Sequence, residues 1–114
     1  MYQILNFSEN FNNILNFSEN LNNKLNCDAF TTLRLADREK YRKGKIFKIA
    51  CDGAILFDAE IIEIYEMRSG LITQFVSYLD TGKSISETKY ILKKFYPELD
   101  EDTELNFILL KKIK

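Results

Sequence analysis

The sequence predicts an α+β domain built on a small, mostly antiparallel β-barrel with two or three short helices. Three observations carry that prediction. Strand-like runs outnumber helical ones and follow one another across short turns, Asp52-Gly53 the clearest of them. Helical signals are confined to short stretches near the start and before the final strand. A length of 114 residues, 46% of them apolar and 29% charged, suits a single core.

The first 26 residues carry a repeat. Ile4-Leu-Asn-Phe-Ser-Glu-Asn-Phe-Asn-Asn13 recurs as Ile14-Leu-Asn-Phe-Ser-Glu-Asn-Leu-Asn-Asn23, with only Phe11 against Leu21 differing. Two copies are too few for a solenoid, so residues 1–13 read as a duplicated extension and 14–114 as the domain. In the second copy Ile14–Phe17 reads as a strand, with Ser18 capping a short helix at Glu19–Leu25. A continuous amphipathic helix is the alternative, weakened by the richness in Asn.

Phe30–Leu35 is a strand rich in β formers. Asp37–Gly44 is a polar connection. Lys45–Cys51 alternates, with Phe47, Ile49 and Cys51 on one face and Ile46, Lys48 and Ala50 on the other. After the Asp52-Gly53 turn a strand runs from Ala54 to Glu66, and its broken alternation predicts a bulge near Asp58-Ala59. Leu71–Leu79 reads as a short amphipathic helix. Ser84-Ile-Ser-Glu87 is a capping box that opens a helix at Ile85–Phe95, stopped by Pro97. Thr103–Ile113 is the last strand, with Leu105, Phe107 and Leu109 on one face.

Charge is sorted along the chain. Residues 30–48 hold seven Lys and Arg against two acids, a net of +5 in a protein whose total is −1. Such a strip on a mildly acidic domain is a candidate polyanion footprint. Arg38, Lys40, Arg42, Lys43 and Lys45 form it, and Tyr41 and Phe47 between them offer rings for stacking single-stranded bases. The plain reading is a solvated turn with Tyr41 as a core plug.

Several classes find no support. Two Cys, no His and no Gly-rich phosphate loop leave no metal cluster, disulfide framework, His-containing triad or cofactor motif. No signal peptide and no membrane span is visible, and the expected setting is cytoplasmic.

Three pieces in order resemble the ASCH domain family, small relatives of the PUA RNA-binding barrel. They are Phe30-Thr-Thr-Leu-Arg34 with Lys40-Tyr41-x-x-Gly44, then Tyr78-Leu-Asp-Thr-Gly82 running into the capped helix, and Phe95-Tyr-Pro97 before the last strand. The resemblance covers about residues 14–114. It implies a PUA-like barrel with a helix-bordered cleft that takes RNA or a nucleotide. Placed on Arg34, the family signature Gly-x-Lys-x-x-(Glu or Thr)-x-Arg puts Thr32 at the Glu-or-Thr position, Ala29 at the Lys position and Cys27 at the Gly position. Some members resemble an amidohydrolase of N4-acetylcytidine that uses a Lys, a Thr nucleophile and a carboxylate. By that likeness Thr32 is the nucleophile and Asp80 the carboxylate, and Lys24 or Lys40 has to fold into the place Ala29 leaves empty.

Each residue also has a plain reading. Arg34 is either an ion-paired strand residue or a phosphate or base contact in the cleft. Thr31 and Thr32 are ordinary strand formers, and Asp80 and Gly82 an ordinary turn. The function expected is a non-catalytic RNA- or nucleotide-binding module with a cleft lined by Thr32, Arg34, Lys40 and Asp80. The alternative is a small amidohydrolase on N4-acylated cytidine, and a minor third reading is a protein-interaction factor using the duplicated N-terminus. Turnover separates the first two, and the salt dependence of RNA binding tests the strip.

Overall fold

In the computed structural model, which describes residues 13–113, five strands form one mixed sheet. They are β1 (Ile14–Phe17), β2 (Ala29–Leu35), β3 (Ile46–Cys51), β4 (Ala54–Arg68) and β5 (Glu104–Lys112). Their order is β1-β3-β4-β5-β2, with β1 parallel to β3 and the other pairings antiparallel. Two α-helices, α1 (Gln74–Thr81) and α2 (Ile85–Phe95), lie between β4 and β5 in the chain. Short 3₁₀ turns cover Leu21–Asn26 and Ser69–Leu71.

The sheet curls into a half-barrel. Its edges, β1 and β2, approach through side chains rather than a ladder. Phe17 and Phe30 meet edge to face at 6.0 Å, and Arg34 Nη2 donates to the Asn16 carbonyl at 2.8 Å. Leu15, Phe47, Ile49, Ile61, Ile108 and Leu110 are almost wholly buried in the core enclosed by the curl. A second, smaller core sets Leu33 and Leu105 of the sheet against Ile72, Leu92 and Leu99. β5, an interior strand of the sheet, contributes to both, so apolar side chains of both its faces are covered.

The hairpin at Asp52-Gly53 is as expected, with φ of 50° and 83° at the two residues, the signs a type I′ turn requires. The bulge is not where broken alternation placed it. Asp58 and Ala59 pair regularly with Lys48 and Phe47, and the register slips instead between Ile49 and Ala50 and between Ile61 and Glu63. Phe47, Ile49 and Cys51 meet the main core as alternation requires, and Ala50 is buried as well although it is not part of that cluster.

The second repeat copy supplies β1; the strand or helix considered for the first copy lies outside the described residues. No α-helix follows β1. Asn22 and Asn23 adopt left-handed φ of 60° and 52°, which Asn tolerates better than most residues, and this breaks the segment into 3₁₀ geometry. Asn20 rather than Ser18 organises the turn, its side chain accepting from Leu25 N at 2.8 Å. The helix expected at Leu71–Leu79 starts later, where Thr73 Oγ1 accepts from Val76 N at 3.2 Å. Helix α2 matches the prediction in both bounds and in its Ser84–Glu87 capping box.

Candidate ligand-binding site

The curl of the sheet leaves a cavity of about 280 Å³ where the β1–β2 seam meets the Leu21–Asn26 turn and the two helices. Its polar wall is made by Lys24, Thr32, Arg34 and Asp80, and its apolar wall by Phe17, Leu21, Ile91, Phe95 and Tyr96 among others.

Asp80 enters from α1. Ser77, Asp80 and Thr81 form the buried face of that helix, at helical spacing. Gly82 ends the helix at φ 73°, and a Cβ there would stand 2.8 Å from Asn22 Oδ1. Glycine thus lets the Asn22 turn press against the end of α1. That turn aims Lys24 inward. Lys24 Nζ donates to Asp80 Oδ1 at 3.0 Å, and Thr31 Oγ1 donates to the same oxygen at 2.9 Å. Both members of the ion pair are buried, with side chains 8% and 7% exposed. Asp80 Oδ2 has no partner among the described residues, yet it is not sealed off, so it opens on the cavity.

Burial holds the Lys24 ammonium below the ordinary lysine value, more than Asp80 raises it, and the nearby Arg34 charge pushes it down further. Arg34, half-buried on β2, lies over the Phe17 ring at 4.6 Å and donates from Nε to Thr32 Oγ1 at 3.0 Å. No carboxylate pairs with it among the described residues. Its Asn16 and Thr32 bonds use two of five N–H donors, and the residue lines the cavity.

Three of the residues singled out in the sequence, Thr32, Arg34 and Asp80, meet on this wall. Lys24, considered there only as a substitute base, is the fourth. Lys40 does not line the cavity, and neither do Arg38, Arg42, Lys43 and Lys45. Tyr41 is 7% exposed and tilts against the fully buried Phe47 at 6.1 Å. It is the core plug, and neither ring is presented for stacking. The strip is partly neutralised: Arg38 pairs with Glu66 at 3.2 Å and Lys43 with Glu63 at 3.7 Å. The aromatic mouth, Phe95 and Tyr96, was quoted in the sequence only as a helix end; its spacing carries no signal that the rings border a cleft.

Among the described residues no three Cys, Asp or Glu side chains converge as a metal site, and no helix is long and apolar enough to cross a membrane. Cys27 and Cys51 are free thiols.

No protein-family profile matches the chain, and no curated protein matches it either. Among solved structures, the ASCH domain from Lactobacillus crispatus JV V101, known from a high-resolution crystal structure, superposes with a TM-score of 0.67. The alignment covers 93% of this chain and 83% of that one, at 14% sequence identity. The chain has an α+β fold like that of this ASCH domain.

Proposed function

We propose that the cavity binds one ribonucleoside unit, either a base of an RNA strand or a free nucleotide, without turning it over. The observation that carries this reading is Arg34, a half-buried guanidinium with no carboxylate partner among the described residues, set on the same wall as the open Asp80 Oδ2. A donor fork beside an acceptor suits the edge of a nucleobase, which offers acceptors and donors side by side. Phe95 and Tyr96 supply aromatic surface on the apolar wall of the same cavity, where a base can stack. A volume of about 280 Å³ sits at the lower end of ligand pockets and suits one base rather than several.

Calorimetry against the four ribonucleosides tests this, with Asp80→Asn as the shape-preserving control. Saturable one-to-one binding of at least one nucleoside is expected, weakened about tenfold or more by Asp80→Asn, the scale of one charge-assisted hydrogen bond. No binding by any of the four, with the protein folded, removes the reading.

Lys24 favours a second reading, amide hydrolysis of an N4-acylated cytidine. Thr32 Oγ would attack the acyl carbon as its proton passes to neutral Lys24, with Arg34 Nε supporting the oxygen as charge develops. Collapse would break the C–N bond as Lys24 returns the proton to the amine, and water would free the acid from Thr32. Against it stands the Lys24–Asp80 contact: Lys24 Nζ is engaged with Asp80 Oδ1 at 3.0 Å and must leave that contact, as a neutral amine, before it can take a proton from Thr32. The account therefore predicts no turnover of N4-acetylcytidine by liquid chromatography. Turnover lost in both Lys24→Met and Thr32→Ala moves the assignment to catalysis.

A further inference from the structure

A second concavity borders the cavity. An open groove of about 410 Å³ runs along the exposed side of α2 and shares Glu19 and Ile91 with the cavity wall. Its other lining residues include Lys83, Ser86, Tyr90 and Lys94. We propose that this groove holds the phosphate of a nucleotide whose base occupies the cavity, with Lys83 and Lys94 as its cationic contacts. This rests on the cavity being a nucleoside site, and adds where the ligand's charge goes.

Four observations support it. First, neither Lys83 nor Lys94 makes an ion pair among the described residues, whereas Arg38, Lys43 and Lys48 of the basic strip each sit against a carboxylate. Second, Lys83 is held at a fixed place. Its carbonyl accepts from Ser77 Oγ at 2.7 Å and its N–H donates to Thr81 Oγ1 at 3.1 Å. Those hydroxyls are buried and contact Thr88 Oγ1 at 2.6 and 2.7 Å, so a hydroxyl cluster between the helices fixes the turn that carries the lysine. Third, Tyr90 is 66% exposed with the Lys94 ammonium 5.0 Å from its ring centre, a cation and an aromatic surface together. Fourth, the groove shares Glu19 and Ile91 with the cavity wall, and the cavity's volume suits one base rather than several.

Two carboxylates also line the groove, and they set the sign of one test. Glu87 is turned toward its capping box, its Oε1 accepting from Ser84 N at 3.3 Å and Ser84 Oγ at 3.1 Å. Glu19, which lines both the cavity and the groove, has no such engagement among the described residues and repels an anion beside it.

The experiment compares a ribonucleoside that binds with its 5′-monophosphate, its 3′-monophosphate and a trinucleotide, by calorimetry at low and moderate salt. At least one phosphorylated form should bind about tenfold tighter than the nucleoside at low salt, and salt should erode that gain. Lys83→Ala/Lys94→Ala should reduce the gain to about twofold or less while leaving nucleoside affinity unchanged, and Glu19→Gln should enlarge it. The two monophosphates and the trinucleotide distinguish a terminal phosphate from a strand. A gain that survives the double variant, or no gain in the wild type, overturns the groove while leaving the cavity standing. Inorganic phosphate that binds the groove equally well without a nucleoside overturns the link between the two. Failure of every nucleoside to bind removes the cavity reading and this one with it.

Discussion

Lys24 and Asp80 are held out of water at 3.0 Å, and each makes the other tolerable there. Such a pair is poor evidence of net stabilisation, because desolvation offsets the attraction, but breaking it strands a buried charge. Lys24→Met should therefore cost about 3–5 kcal/mol in denaturant unfolding, and Lys24→Met/Asp80→Leu should recover most of the loss. A pH consequence follows from the lowered lysine pKa. Between that value and the unfolded value of 10.5 the unfolded chain binds the extra proton, so stability from this group rises with pH across the interval. The rise should be present in the wild type and missing in Lys24→Met; equal slopes contradict the burial of Lys24. Arg34 and Asp80 were legible in the sequence, Arg34 as the one charge in a strand of uncharged residues and Asp80 through a resemblance. Lys24 was legible only as a substitute base beside Lys40, because its direction depends on two left-handed Asn residues whose φ no periodicity announces.

Elements were legible where a local chemical signal fixes them. The Ser84–Glu87 box and Pro97 bound α2, and Asp52-Gly53 fixes the β3–β4 hairpin, since in both cases the residues themselves supply the geometry. Where tertiary contacts decide, pattern failed. The Leu21–Asn26 turn is held by Asn20 and by the end of α1, and the slips in β4 answer to its two neighbours at once. Gly82 makes this testable. Gly82→Ala places a methyl 2.8 Å from Asn22 Oδ1 at a φ of 73°, and should destabilise the protein by more than about 1 kcal/mol. It should also weaken nucleoside binding, because the turn it displaces carries Lys24. Unchanged melting and binding would separate the turn from the site.

For the whole molecule, the α+β half-barrel was readable from strand-rich order and short turns, but its seam was not. Arg34 spans the two sheet edges to Asn16, so one side chain serves both closure and the cavity wall. The second repeat copy alone fills the β1 position and the turn after it. Deleting Ile4–Asn13 should accordingly lower the melting temperature by only the few degrees that correspond to about 1 kcal/mol in a domain of this size. Loss of folded protein would make both copies structural. The basic strip stood out in the sequence because charge density is visible in one dimension, whereas pairing with Glu63 and Glu66 across the fold is not. Arg42→Ala/Lys43→Ala/Lys45→Ala should leave mononucleotide affinity within about twofold, since none of the three lines the cavity or the groove and salt screens exposed charges. The most direct test is an amide-resolved NMR titration of the intact protein with a ribonucleoside. The account predicts saturable shifts at Leu21, Lys24, Thr32, Arg34, Asp80 and Ile91, with Arg38 to Lys45 unmoved; shifts confined to the strip, or none at all, would contradict it.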